Sequence, residues 1–215
     1  TEGPYHDVSP CLLPEGGLVF VSTRRFGYTL CQPGPASNLY RMSGDGGDVR
    51  CVSMNTLSDF SPQMVPDGRV LFTRWEYIDR DLTFRQSLWT QYPDGTQYAL
   101  YFGNTIRDVG TFWQARPLPG RNDRLVATFA PHHGFPHGAI GLIDRGDGPE
   151  GPPGKGFINL TKEFPVIGDR RPYVTALVVP SFLNLEPWAK ENGIAFSSRE
   201  ELVRDERVQR FYRDR

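Results

Sequence analysis

The chain copies itself. Asp7-Val-Ser-Pro10, Pro14-Glu-Gly16 and Leu18-Val-Phe20-Val-Ser-Thr23 are matched, at one constant offset and without a gap, by Asp59-Phe-Ser-Pro62, Pro66-Asp-Gly68 and Val70-Leu-Phe72-Thr73. Each copy continues into a second paired element, Asn38-Leu-Tyr-Arg-Met-Ser-Gly-Asp45-Gly46 in the first and Ser87-Leu-Trp-Thr-Gln-Tyr-Pro-Asp94-Gly95 in the second, with the same spacing from Leu to Asp-Gly. Self-similarity of this length points to units that cannot bury their apolar faces alone and stack on their neighbours instead.

Each unit reads as four strands. Ser-Pro is expected to start the first strand, at a position that needs no ladder donor, and Pro-Glu-Gly or Pro-Asp-Gly supplies a tight turn. The β-branched and aromatic run 18–23, or 70–73, makes the second strand. Leu39-Tyr-Arg-Met42 and Leu88-Trp-Thr90 alternate as third strands, and their Asp-Gly turns lead to fourth strands near 50–53 and 97–101. An eroded third copy follows, with strands expected from Phe112, at 125–129, at 139–144 and at 159–161.

Four-stranded units at this period predict blades of a β-propeller, about three of them over residues 1–162. Three blades cannot close a ring. The expected chain is therefore a piece of a larger propeller, or a module whose open faces a protein partner or missing blades must cover. Ser-Pro, Pro-Asp-Gly-Arg and Val-Leu-Phe-Thr-Arg-Trp75, followed by Leu-Trp and Pro-Asp-Gly, resemble the TolB-type propeller repeat. Phe72-Thr-Arg-Trp-Glu-Tyr-Ile-Asp-Arg80 and Gly138-Ala-Ile-Gly-Leu-Ile-Asp144 resemble, more narrowly, the middle domain of the hydrazine synthase alpha subunit and its relatives. The resemblance covers about Asp7 to Lys162. It implies a scaffold and docking surface, with haem chemistry left to flanking domains whose Cys-x-x-Cys-His motifs this chain lacks.

From Glu163 onward the pattern changes to a small α/β segment, residues 163–215. Residues 166–180 read as an apolar strand after a charged turn, and 183–192 carry helical spacing at Leu185, Trp188 and Ala189, stopped by Asn192-Gly193. Ser198-Arg-Glu-Glu201 forms a capping box for one last charged helix through Val203 and Val208. This stretch resembles the small C-terminal domain of AMP-forming long-chain acyl-CoA synthetases. The phosphate loop, ribose-binding acid and hinge of that family's large domain are not in this sequence, and the lysine that its small domain contributes would fall beyond Arg215. The joining of two partial domains near 159–165 predicts a chimera from a recombined or mis-assembled reading frame.

A formal net charge of -1 gives no basic face for nucleic acid or an anionic membrane. No apolar run is long enough for a membrane span, and the first residues lack the basic and apolar regions of a secretory signal. The compartment stays open: the propeller's relatives are mostly exported, the tail's relatives cytoplasmic. Cys11, Cys31 and Cys51 lack metal-knuckle or haem-attachment spacing, so they read as buried or free thiols, with one disulfide as the alternative.

Chemistry-bearing clusters are few. His132, His133 and His137 share a Pro/Gly-rich loop and could ligate zinc or copper; the alternative is an exposed polar loop, since no Cys, Asp or Glu between them completes a set. Trp75, Glu76 and Tyr77 with Asp79, Arg80 and Asp81 could line a channel mouth or staple adjacent blades by packing and ion pairing. Asp45-Gly46, Asp94-Gly95 and Asp147-Gly148 are turn residues without calcium-loop spacing. The segment Gly146–Gly156 reads as a flexible loop. No Gly-x-Ser-x-Gly and no nucleophile beside a base is present, so no catalytic residue and no cofactor is assigned. The expected function is a non-catalytic scaffold or protein-interaction module, with an acyl-CoA ligase remnant or a fragment of a haem-enzyme subunit as alternatives.

Overall fold

A proline whose ring presets φ, followed two residues later by a glycine free to take positive φ, turns the chain back on itself in a short bulged hairpin. The structure, a computed structural model, describes residues 3–25, 27–29, 34–77, 86–132, 138–161 and 182–213. Within them this turn occurs twice in the same form. Leu13 N donates to Gly17 O at 2.8 Å and Gly16 N to Leu13 O at 3.0 Å, with Gly16 at φ 92°. Val65 N donates to Arg69 O and Gly68 N to Val65 O, both at 2.9 Å, with Gly68 at φ 88°. The Asp-Gly turns also match: Ser43 N to Gly47 O at 3.0 Å, and Tyr92 N to Thr96 O at 2.8 Å.

These turns join strands β1 (Asp7–Leu12), β2 (Leu18–Ser22), β3 (Asn38–Met42) and β4 (Arg50–Cys51) into one antiparallel meander. A second meander holds β5 (Asp59–Met64), β6 (Val70–Trp75), β7 (Gln86–Gln91) and β8 (Ala99–Phe102). A third holds β9 (Thr111–Pro117), β10 (Arg124–Ala130), β11 (Ala139–Asp144) and β12 (Phe157–Asn159). One parallel pair, Gln86↔Thr111, links the second to the third. Among the described residues the chain is mainly β, as its composition of short branched and aromatic runs requires.

The first strand of each meander breaks register once, between Val8 and Cys11, between Phe60 and Gln63, and opposite Val126 and Thr128. At each break one residue takes positive φ: Ser9 at 53°, Ser61 at 51° and Gln114 at 52°. Ser-Pro therefore does not start the strand as expected. The strand starts two residues earlier, and proline sits inside the bulge, where its missing N–H costs no ladder bond.

Two apolar layers separate the meanders. Leu13, Val19, Val21, Leu39 and Val52 meet Val70 and Phe72, with Met64 and Trp89 at the margin. Leu71, Leu88, Tyr101 and Phe102 meet Phe112, Leu125, Phe129, Ile143 and Phe157. Four of these rings, Phe102, Phe112, Phe129 and Phe157, pack edge-to-face, as the opposite charge of ring faces and ring edges favours. Their centroids lie from 5.4 Å apart, for Phe102 with Phe112, to 6.5 Å, for Phe112 with Phe157.

The segment Gly146–Gly156 is anchored, contrary to the expected flexible loop. Asp144 caps a single 3-10 turn at Arg145–Asp147. The Glu150 carboxylate accepts from the Asn104 and Thr105 amides at 2.8 Å each and from Thr105 Oγ1 at 2.9 Å, and Gly103 N donates to Pro149 O. Spacing alone could not show this, because the partners lie some forty residues away in the β8–β9 connection.

The chain divides into two compact units, Thr1–Asp169 and Arg170–Arg215. The expected strand at 166–180 lies outside the described residues. In the second unit, α1 (Phe182–Glu191) ends where expected, on a glycine in the left-handed region. Ile194 N reaches Ala189 O at 2.8 Å and Gly193, at φ 65°, donates to Lys190 O. The expected last helix is two, α2 (Arg199–Arg204) and α3 (Glu206–Arg213), interrupted at Asp205. Ser198 Oγ accepts from Glu201 N as a cap, while Glu201 reaches back to Ser197. Leu185, Ala189, Ile194, Leu202 and Val208 form this unit's core, and Val203 faces out. No helix among the described residues is long and apolar enough to cross a membrane.

Two glycines with the same backbone sign separate conformational strain from crowding. Gly16 has open space where a Cβ would stand, whereas at Gly103, φ 86°, a Cβ would overlap the Phe112 ring. Gly16→Ala should cost roughly 1 kcal/mol and Gly103→Ala at least about 3 kcal/mol, measured by chemical denaturation.

Candidate functional site

Antiparallel meanders put the β2–β3, β6–β7 and β10–β11 connections at one end of the first unit, together with the β4–β5 and β8–β9 linkers. Among the described residues, that end holds most of the buried polar side chains. Asp59, at the start of β5, is fully buried opposite Arg74 in β6. Arg74 Nη1 lies 3.5 Å from Asp59 Oδ1, its Nε donates to Glu76 at 2.8 Å, and its guanidinium covers the Tyr98 ring at 4.8 Å.

Asn55, in the linker before β5, is the hub. Its Nδ2 donates to Asp59 Oδ1 at 2.9 Å, Trp75 O at 2.9 Å and Ser58 O at 3.1 Å, and its Oδ1 accepts from Leu57 N. Its carbonyl accepts from Asn38 Nδ2 at 3.2 Å and from Arg25 Nη1 at 3.3 Å, both from the first meander. Asp59 N donates to Ser37 O at 2.8 Å and Ser37 Oγ to Asp59 O at 3.2 Å. Desolvation pushes the Asp59 carboxyl up to about 6, against the opposing pull of Arg74 and of hydrogen bonds from Ser53 and Asn55. Reading the sequence did not find this network. The recurrence of Asp7 and Asp59 at one repeat position was the available signal, and Asp7 has its own cation, Arg24 Nη2 at 2.8 Å.

His132 sits beside this network at the second joint. Its ring meets Trp75 edge-on, centroids 5.5 Å apart, and its Nδ1 lies 3.3 Å from Gln86 Nε2. The chain is tight here: a Cβ on Gly110 would stand 2.5 Å from the His132 amide nitrogen. His133 and His137, the other members of the expected metal set, lie outside the described residues, as do Asp79, Arg80 and Asp81. Among the described residues no three His, Cys, Asp or Glu come together as a metal site. Trp75, Glu76 and Tyr77 are described: Trp75 is buried, its ring 5.8 Å from that of Tyr77, and Glu76 pairs with Arg74.

The Asp-Gly turns are self-contained. Asp45 Oδ1 accepts from Ser43 Oγ at 2.6 Å and Gly47 N at 3.0 Å, and those bonds hold its carboxyl below the usual range. Asp94 does the same with the amide and hydroxyl of Thr96. Cys11 is buried and its thiol is pushed up by desolvation; both Cys11 and Cys51 are free thiols, and Cys31 lies outside the described residues.

No protein-family profile matches the chain, and no curated protein matches it. Among solved structures, Kuenenia stuttgartiensis hydrazine synthase is similar with a TM-score of 0.57 and 20% identity, over 68% of this chain and 22% of that one. A putative TolB from Agrobacterium tumefaciens is similar with a TM-score of 0.45 and 16% identity, over 66% of this chain and 46% of that one. Both neighbours have propeller-type folds. This chain spans about a fifth of the hydrazine synthase chain, and the likeness is one of fold alone. The resemblance of residues 163–215 to acyl-CoA synthetases finds no support in any of these comparisons.

A raised carboxyl pKa makes a signed prediction. Between the ordinary value of 3.8 and about 6 the folded state holds a proton that the unfolded chain releases. The stability Asp59 contributes is therefore full below pH 4 and lost as pH rises through 6. Asp59→Asn is neutral throughout, so its stability relative to wild type should improve by roughly 3 kcal/mol from pH 4 to pH 7.5, by denaturant titration at both pH values. A difference that stays constant with pH would mean that Asp59 titrates like a free carboxyl.

Proposed function

We propose that residues 1–162 make three four-stranded blades of a β-propeller and serve as a non-catalytic scaffold on which other proteins assemble, with residues 163–215 as a separate appended segment. The observation that supports this reading best is the positive-φ bulge that recurs at one place in the first strand of every meander, at Ser9, Ser61 and Gln114. A bulge increases local twist and bends its strand. Repeated on adjacent units, it gives successive sheets the same rotation, as blades around an axis require. The likeness of fold to hydrazine synthase agrees with this.

The polar groups also favour structure over chemistry. Asp59, the group with the most nearly neutral carboxyl, is sealed between two meanders, hydrogen-bonded to Asn55 and paired in charge with Arg74. A reacting group needs a side open to substrate, and this one has none.

The purified chain should support no ATP–pyrophosphate exchange with palmitate above a no-protein blank, and should show no Soret band after incubation with haemin and desalting. Exchange above the blank would replace the scaffold with an adenylate-forming enzyme. A stoichiometric Soret band would replace it with a haem protein.

A further inference from the structure

The two internal joints are not equally strong. At the second, β7 pairs with β9 at Gln86↔Thr111, Thr73 Oγ1 donates to Phe112 O at 2.6 Å, and fourteen buried apolar residues fill the layer. Among the described residues no strand pair joins the first meander to the second, and the layer between them holds seven. Apart from Gln91 Nε2, which donates to Val52 O at 2.8 Å, the polar bonds across the first joint gather at one place. Ser37 N donates to Ser58 Oγ at 3.2 Å, Asp59 N to Ser37 O at 2.8 Å and Ser37 Oγ to Asp59 O at 3.2 Å, with Arg25 and Asn38 bonded to Asn55 O beside them. The clasp of the weaker joint is therefore built on and around a residue that carries a carboxyl.

That carboxyl is poorly placed to hold a charge. Asp59 is 0% exposed, and while its Oδ1 accepts from Asn55 Nδ2 at 2.9 Å, its Oδ2 is buried with no hydrogen-bond partner. The cation opposite is divided. Arg74 donates its Nε to Glu76 at 2.8 Å, covers the Tyr98 ring at 4.8 Å, and stands 3.5 Å off Asp59 Oδ1, so two carboxyls share its guanidinium. From the first meander the facing charge is Arg25, whose Nη1 donates to Asn38 Oδ1 and Asn55 O at 3.3 Å each. His132 lies with Trp75, the next residue along β6 and so on its opposite face. An ionised Asp59 thus keeps one oxygen without solvent or partner, a cost that ends when the joint opens and admits water.

We propose that the first joint is a pH-sensitive hinge: as Asp59 ionises, the first meander lifts from the second at the Ser37–Asp59 clasp, while the second and third meanders stay joined. Opening bares Val21 and Leu39 on one side and Phe72 on the other. Desolvation pushes the Asp59 carboxyl up to about 6 in the closed joint, against an ordinary value of 3.8 once water reaches it. Closure is therefore firmest below pH 4 and weakens as pH rises through 6, and between pH 5 and pH 7.5 the opening constant grows about tenfold. The inference goes beyond the scaffold reading and does not depend on it.

Amide hydrogen exchange of the full chain at pH 5 and pH 7.5 tests the hinge, with Asp59→Asn at the same pH as reference so that intrinsic exchange chemistry cancels. The ratio of wild-type to variant rates at residues 18–22 and 38–42 should rise about tenfold between the two pH values. At both, wild-type protection there should be about tenfold or more weaker than at residues 125–129 and 140–143, because the third meander stays folded in the opened chain. A ratio that stays flat overturns the proposal. Equal protection in the two sets of strands overturns it as well, since the chain then opens only by unfolding as a whole. If Asp59→Asn does not fold, unstructured peptides of the same sequence replace it as reference. Wild-type protection at 18–22 and 38–42 should then fall about tenfold from pH 5 to pH 7.5, and steady protection overturns the proposal. Each of these results leaves the scaffold standing, whereas pyrophosphate exchange or a Soret band removes the scaffold whatever the amides report.

Discussion

One side-chain amide takes the place of a missing strand. Where the first meander ends and the second begins, the chain must cross from the last strand of one sheet to the first strand of the next, and the crossing strips backbone groups of ladder partners. Asn55 fills the gap: its amide hydrogens serve Asp59, Trp75 O and Ser58 O, while its own carbonyl takes donors from Asn38 and Arg25. Buried hydrogen bonds of this kind are strengthened by their surroundings and expensive to leave unmade. The apolar contacts of Val19, Val21 and Leu39 with Phe72 need the two sheets held at a set separation, and this network sets it.

The two internal joints solve one geometric problem with different chemistry. Asp59 pairs across strands with Arg74; at the same register positions the third meander pairs Phe112 with Phe129, rings 5.4 Å apart at 85°. A buried ion pair carries a desolvation cost that only good geometry and extra hydrogen bonds offset, and Asn55 and Ser53 supply such bonds to Asp59. An aromatic pair carries none and can spread, so Phe102 and Phe157 join it. The first joint is therefore polar and directional, and the second is greasy and large. Thr73 Oγ1 donating to Phe112 O at 2.6 Å is the buried side-chain bond that reaches from β6 to β9.

This difference explains what could be read in advance. The β-rich character followed from short branched runs between Pro-Gly and Asp-Gly turns, because those turns depend only on neighbouring residues. Ala139–Asp144 was expected as a strand at its observed ends, while the last strand of the third meander lies two residues earlier than expected, at Phe157–Asn159, since nothing local marks its start. The third copy looked eroded because Asp had become Phe112 and its opposite residue Phe129, a change that keeps the fold and deletes the motif. The hub at Asn55 was invisible for another reason: a lone Asn in a linker reads as a turn residue until the strands that it joins are known. The Glu150 anchor was hidden by sequence distance in the same way.

A buried carboxyl moved toward neutrality is the pattern by which active sites are sought. Here the causes of the shift argue the other way. Burial is the leading cause, and the groups that oppose it, Arg74, Ser53 and Asn55, are the ones that close the joint. Trp75 shields the end of β6, and His132 is fixed between Trp75 and Gln86 where the second and third meanders pair. A general acid must present its proton to something that can arrive and leave. Asp59 is buried in the seam between two sheets, so its protonation bears on how firmly those sheets hold together.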